Sequence, residues 1–140
     1  MIRTVSQKMG IKDGMRALLV QAPDDAVAAM ALPDIQRTTR MSGLFDYIHL
    51  FVTTQTEFEK RFPKLKAHLK PGGMLWASWP KNKQLNTDLT LPHVIRIGYN
   101  YGLVESTSLR VDDTWSALKF THPKKGKVYN NHYGKLPEQL

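Results

Sequence analysis

The chain contains no cysteine in its 140 residues. That absence excludes a disulfide framework, a thiol nucleophile and a zinc–thiolate centre, and it suits a reducing cytoplasm. There is also no run of about 18 apolar residues, so no membrane-spanning helix is expected. The first eight residues, Met1 to Lys8, lack the apolar core of a signal peptide. Acidic residues are few: 12 Asp and Glu against 20 Lys and Arg, a formal net charge of +8. Such a balance draws anionic partners from a distance but says nothing about the fold. What remains is ordinary: 41% hydrophobic and 23% charged residues in 140, the composition and size of one soluble globular domain.

Apolar patterning divides the chain into alternating strands and helices. Ser6 to Met9 reads as a short helix stopped by Gly10, and Asp13-Gly14 as a turn. Arg16 to Gln21 has the continuous apolar centre of a strand covered on both faces. After Pro23, Asp24 is placed to cap a helix whose small apolar face is Ala26, Val27, Ala29, Met30 and Leu32. Phe45 to Val52, rich in β-branched and aromatic residues, is the strongest strand. Thr53 or Thr54 opens the next helix, with Phe58, Phe62, Leu65 and Leu69 along one side. Pro63 lies within it and predicts a kink or break.

Leu69 to Trp76 then reads as a helix stop, a tight turn and the start of a buried strand that Pro80 ends. A polar loop from Lys81 to Thr87 leads to a helix over Leu89–Tyr101, with Leu91, Val94, Ile95 and Tyr99 inward and Gly102 as its stop. Leu103 to Val111 and Trp115 to Thr121 form a hairpin about Asp112-Asp113-Thr114. The expected division is a single domain over 1–121 and a basic C-terminal extension over 122–140, an extended arm or partly disordered. Residues 35–40 fit less well. Only Met41 to Leu44 separate them from the strand at Phe45, too few for a parallel crossover between neighbouring strands. They are expected to be an antiparallel or edge segment, or merely extended, with a crossover helix missing. The alternation as a whole predicts an α/β three-layer sandwich whose sheet is mostly parallel and ends in an antiparallel hairpin.

These landmarks resemble a shortened, degenerate class I S-adenosylmethionine-dependent methyltransferase domain, a Rossmann-like fold. The likeness rests on the turn and first strand at Ile11 to Leu18, the Leu-Lys-Pro-Gly-Gly run at Leu69 to Gly73, and the Gly102-stopped last helix before a closing hairpin. More narrowly, the chain resembles a family of small bacterial proteins to which no activity is assigned. Gly10-Ile11-Lys12, Phe45-Asp46, Leu50-Phe51-Val52, Lys70-Pro71-Gly72-Gly73, Pro80-Lys81, Thr87-Asp88-Leu89 and Val111 to Leu118 carry that likeness. The methyltransferase likeness implies a glycine-rich cofactor turn after the first strand and a ribose-binding carboxylate after the second. Here the turn is Gln21-Ala22-Pro23-Asp24-Asp25-Ala26, without glycine, and Thr39 and Arg40 stand where the carboxylate is implied. No cofactor is therefore predicted, and S-adenosylmethionine is placed in doubt.

Ligands of open α/β sheets bind beyond the carboxyl ends of the strands. That rule collects Gln21, Asp24, Thr53, Lys81, Asp88, Asp112 and Asp113 as ligand-binding candidates, a mixed cluster suited to a small anionic or polar ligand. Each also has a plain explanation, since Asp24 can be only a cap and Asp112–Thr114 only a turn. Trp79, just before Pro80, and Trp115, just after the turn, join the candidates. Trp79 would stack on a ring, although core filling explains every tryptophan here. His49, mid-strand, reads as a buried histidine with one hydrogen-bond partner rather than a base. The five histidines show no ligand-like spacing with carboxylates, so no metal is expected. Lysines of the third helix and the tail, with Tyr129 and Tyr133 interleaved, admit a nucleic-acid surface, although no recognition motif accompanies them. The reading that results is a small-ligand-binding or regulatory protein. The alternatives are an active transferase working at the carboxyl edge and a nucleic-acid accessory protein.

Overall fold

In the computed structural model, which describes residues 2–137, the two apolar runs become the centre of one sheet. β1 (Arg16–Val20) pairs in parallel with β3 (Phe45–Phe51). β2 (Gln36–Thr38) and β4 (Leu69–Pro80) flank that pair, also in parallel. β5 (Val104–Arg110) and β6 (Trp115–Thr121) form the closing hairpin, and β6 joins β4 antiparallel. The strand order is β2-β1-β3-β4-β6-β5.

Strand alternation sends successive side chains to opposite faces. Ile48, Leu50, Leu75, Ala77 and Trp79 meet α3 (Gln55–Lys66) and α4 (Leu91–Asn100) through Phe58, Phe62, Leu65, Val94 and Ile97. Tyr47, Phe51, Met74 and Trp76 meet α1 (Val5–Met9) and α2 (Asp24–Met30) through Met9, Ala26 and Met30. The result is the Rossmann-like three-layer sandwich that the pattern predicts.

Residues 36–38 are a parallel edge strand, not an antiparallel one. The topology removes the length problem. β1 lies between β2 and β3, and β2 reaches only as far along the sheet as Leu18. The chain therefore returns across two strand spacings, about 4.8 Å each, and backs up by only a few residues. Residues 39–44 span that distance without a helix. Arg16 holds the short return: its guanidinium donates to Ser42 O at 2.6 Å and Leu44 O at 2.8 Å, and lies 4.1 Å above the Phe45 ring. His68 adds a bond of 2.7 Å to Gly43 O. Compared with the doubly wound order 3-2-1-4-5-6, the sheet stops one strand short at this edge.

Leu69 to Trp76 differs from the sequence reading. The strand already begins at Leu69, paired with Phe45, and the register then jumps so that Met74 pairs with Tyr47. The Pro-Gly-Gly run is thus an irregularity inside β4. Its glycines have separate reasons. Gly72 has φ +79° with open space around it, whereas a Cβ on Gly73 would lie 2.9 Å from Lys70 O and 3.0 Å from Phe45 O. Gly72→Ala should therefore cost about 1 kcal/mol, the left-handed penalty. Gly73→Ala should cost clearly more, because backbone atoms cannot move aside. Urea denaturation of the two variants checks the order.

Three further expectations are corrected. α3 runs unbroken through Pro63; the carbonyl deprived of a partner there belongs to Glu59, an exposed residue that water reaches. Asp24 does not cap α2, because Pro23 occupies the cap position and no side chain caps there. Leu91, expected inward, is 39% exposed at the first turn of α4. The tail up to residue 137 has little regular structure yet is anchored. Leu136 is buried in the α3–α4 core, Asn131 donates to Glu105 at 2.8 Å, and Gly134 lies against Tyr99. Residues 138–140 of that expected arm lie outside the described residues.

Candidate functional site

The sheet's topological switch point falls between β1 and β3, because the chain leaves β1 toward β2 on one side and has β3 on the other. Carboxyl ends of strands diverge at such a point and leave a crevice. A cleft of about 300 Å3 opens there, lined by Gln21, Phe51, Val52, Thr53, Thr54, Glu57 and Trp115. Three sequence candidates, Gln21, Thr53 and Trp115, are brought together in it. Gln21, immediately after β1, holds φ +58°, a left-handed backbone that normally favours glycine. Its side chain turns across the crevice and donates Nε2–H to Phe51 O at 2.9 Å.

Thr54 caps α3 by accepting from Glu57 N at 3.1 Å. The same turn presents the Glu57 carboxylate to the cleft, where it pairs with Arg61 at 2.6 Å. The Arg61 hydrogen bond holds Glu57 below the usual carboxylate range. Glu57 and Thr54 are cleft residues that the sequence reading did not select. Their signal was the Thr-x-x-Glu pattern of a helix start, which looks structural and here also faces the crevice.

The other candidates lie elsewhere or are engaged in the fold. Asp88 accepts from Gln55 N at 2.8 Å, so it serves the first turn of α3 from across the chain. Asp112 Oδ1 accepts from Thr114 N at 2.9 Å and Trp115 N at 2.8 Å, an Asx turn. Asp113 is almost fully exposed, 3.7 Å from Arg110. Lys81 gives its backbone N–H to Thr114 O at 2.8 Å, and Asp24 is exposed in the first turn of α2. Trp79, expected to stack at the edge, is 6% exposed and packs in the α3–α4 core. Position parity decides this: Trp79 shares a strand face with Leu75 and Ala77. Asp112→Ala should cost about 1–2 kcal/mol by freeing two amides, Asp112→Asn much less because its amide oxygen still accepts, and Asp113→Ala nearly nothing. Thermal denaturation of the three variants checks this.

Directly beneath the cleft lies a buried polar chain. His49 Nδ1 is 2.5 Å from Tyr47 Oη, and Nε2 is 2.6 Å from Ser78 Oγ. The expected single partner is therefore two. Burial pushes the His49 pKa down to about 3 and raises that of the Tyr47 phenol. The neutral ring stacks on Phe51 at 4.2 Å, and Phe51 in turn lines the cleft. All three polar residues are fully buried, so none can touch a ligand as the side chains stand.

Several solved methyltransferase structures share this fold. Magnesium protoporphyrin IX methyltransferase from Synechocystis PCC 6803 with bound SAM is similar over 84% of this chain and 74% of that one, at TM-score 0.58 and 9% identity. Ribosomal protein L11 methylase from Lactobacillus delbrueckii subsp. bulgaricus covers 85% and 75%, at 0.55 and 13%. Precorrin-6y C5,15-methyltransferase from Geobacter metallireducens GS-15 covers 85% and 86%, at 0.56 and 8%. No protein-family model matches the chain, and no curated protein matches it. The fold is that of a shortened class I methyltransferase-like α/β domain. Among the described residues, no helix is long and apolar enough to cross a membrane.

Proposed function

We propose that the protein is a small-ligand-binding or regulatory protein, using the switch-point cleft for a small polar ligand and not for S-adenosylmethionine. One observation carries this reading: Gln21 occupies, in backbone and side chain, the crevice that a cofactor turn would leave open. The surrounding residues do not fit the cofactor either. Pro23 offers no amide donor in that turn, and Thr39 and Arg40 follow β2 without a carboxylate. The cleft walls favour a polar ligand over an anionic one, since their one charged residue is the Glu57 carboxylate, already paired with Arg61. Gln21, Thr53 and Thr54 supply neutral hydrogen-bonding groups, while Phe51 and Trp115 supply apolar surface.

A transferase reading has less support, because Asp88 and Asp112 are held by backbone amides. The nucleic-acid reading loses Lys66, which donates to Tyr101 O at 2.7 Å, and Lys70, which pairs with Asp46 at 3.2 Å. Calorimetric titration with S-adenosylmethionine should give no binding in the micromolar range. Native mass spectrometry of the purified protein should show a small retained ligand that Thr53→Phe displaces. A micromolar S-adenosylmethionine isotherm would overturn the proposal, as would a retained ligand indifferent to Thr53→Phe.

A further inference from the structure

The missing crossover helix leaves a second opening on the α3 side of the sheet. Its floor is Leu18 and Val20 of β1, its walls are Leu65 and Lys64 with Arg61 of α3, and Thr39 and Met41 of the short return form the lip. The groove has a volume of about 170 Å3. It is separate from the switch-point cleft: the Glu57–Arg61 pair stands between them, Glu57 facing one and Arg61 the other.

The chemistry of this groove is asymmetric. The floor is aliphatic, and Met41 leaves 44% of its surface exposed at the lip. The polar rim carries two cations and no carboxylate. Lys64 makes no ion pair among the described residues, and Arg61 uses only Nε on Glu57. Water over an aliphatic floor favours an apolar occupant. An unpaired ammonium beside a guanidinium with free N–H groups favours an anionic head. A second copy of this chain carries the same net charge of +8, and like charges oppose its approach.

We propose that the groove binds an anionic amphiphile, a short acyl chain on the floor with its carboxylate or phosphate head against Lys64 and Arg61. The same chemistry is offered by a free fatty acid and by an anionic lipid at a membrane surface. The first would insert its chain, whereas the second would bring headgroups to the rim and a chain end to Met41.

Octanoate, hexanoate and 1-octanol are the probes, with methyl signals of Leu18, Val20, Leu65 and Met41 as the readout in carbon-resolved NMR. Octanoate should shift these methyls saturably and leave the indole signal of Trp115 in the other cleft unmoved. Each methylene lost should weaken binding by up to about fourfold. 1-Octanol should bind several-fold more weakly than octanoate, and Lys64→Ala should narrow that difference while Arg61 remains. Thr39→Trp, on the exposed lip, should block the groove while leaving the core intact, as judged by unchanged β3 signals. Sedimentation with phosphatidylglycerol vesicles separates the sources: octanoate binding without sedimentation identifies a free acid, and binding of both identifies a lipid surface. No saturable shift with octanoate would overturn the proposal, and so would equal affinity for octanol and octanoate. Neither result bears on the polar-ligand cleft, whose reporter is Trp115.

Discussion

Gly98→Ala is expected to destabilise the protein by about 3 kcal/mol, the upper end for an overpacked core. Gly98 lies in α4, and alanine would by itself favour the helix by about 1 kcal/mol. The contact outweighs that gain. A Cβ at Gly98 would lie 2.0 Å from Phe120 Cε1 and 2.4 Å from Cζ. The ring cannot withdraw freely, because Phe120 is fully buried and set edge-on to Phe62 at 5.2 Å. α4 would have to lift from β6. The denaturation midpoint measures the loss, and shortening the ring in Gly98→Ala/Phe120→Leu should recover part of it relative to the two single variants. A neutral Gly98→Ala would mean that α4 does not sit this close to the sheet.

His49→Ala should cost about as much or more, on the order of 3–5 kcal/mol, since it leaves two buried hydroxyls unpaired and opens a cavity. The same residue makes stability depend on pH. In the unfolded chain His49 takes up its proton near 6.5, and in the folded chain not until about 3. Between those values the unfolded state binds a proton that the native state refuses, so stability rises with pH. The contribution is complete above 6.5 and is lost as pH falls toward 3, on the order of 5 kcal/mol in all at about 1.4 kcal/mol per unit. Asp46, held below its usual range by the Arg16 backbone amide and by Lys70, and Glu57, held by Arg61, act in the same direction. Their unfolded values are near 3.8 and 4.5, so the stretch from 6.5 to 5 belongs to the histidine. Denaturant unfolding across that range should show the slope in the native sequence and a flatter one in His49→Asn. An unchanged slope would mean that His49 does not titrate as a buried group.

Much of the fold was legible because local chemistry and tertiary arrangement agree. Gly10 and Gly102 mark helix ends where they are found, and the apolar runs at Arg16 and Phe45 became the central strands. Pro63 does not break α3, because an unpaired carbonyl on an exposed residue needs only water. Pro-Gly-Gly misled: a bulge within a strand and a turn before one call for the same residues. The candidate site was half legible. The rule of carboxyl ends gathered Gln21 and Thr53, but it gathered Asp88 and Asp112 equally well. No single sequence tells a carboxylate that faces a ligand from one that accepts from a neighbouring amide.

The sequence by itself determined the class of fold, the order of its elements and the absence of a glycine turn after β1. Those follow from periodicity and from backbone chemistry, which act over a few residues. Tertiary structure alone decided where the missing crossover is felt. It placed β2 at the edge, turned Gln21 into the switch-point crevice, hid Trp79 in the core and left a cationic apolar groove beside α3. Each of these depends on which strands become neighbours and on the face a side chain occupies, and residues far apart in the chain settle both together.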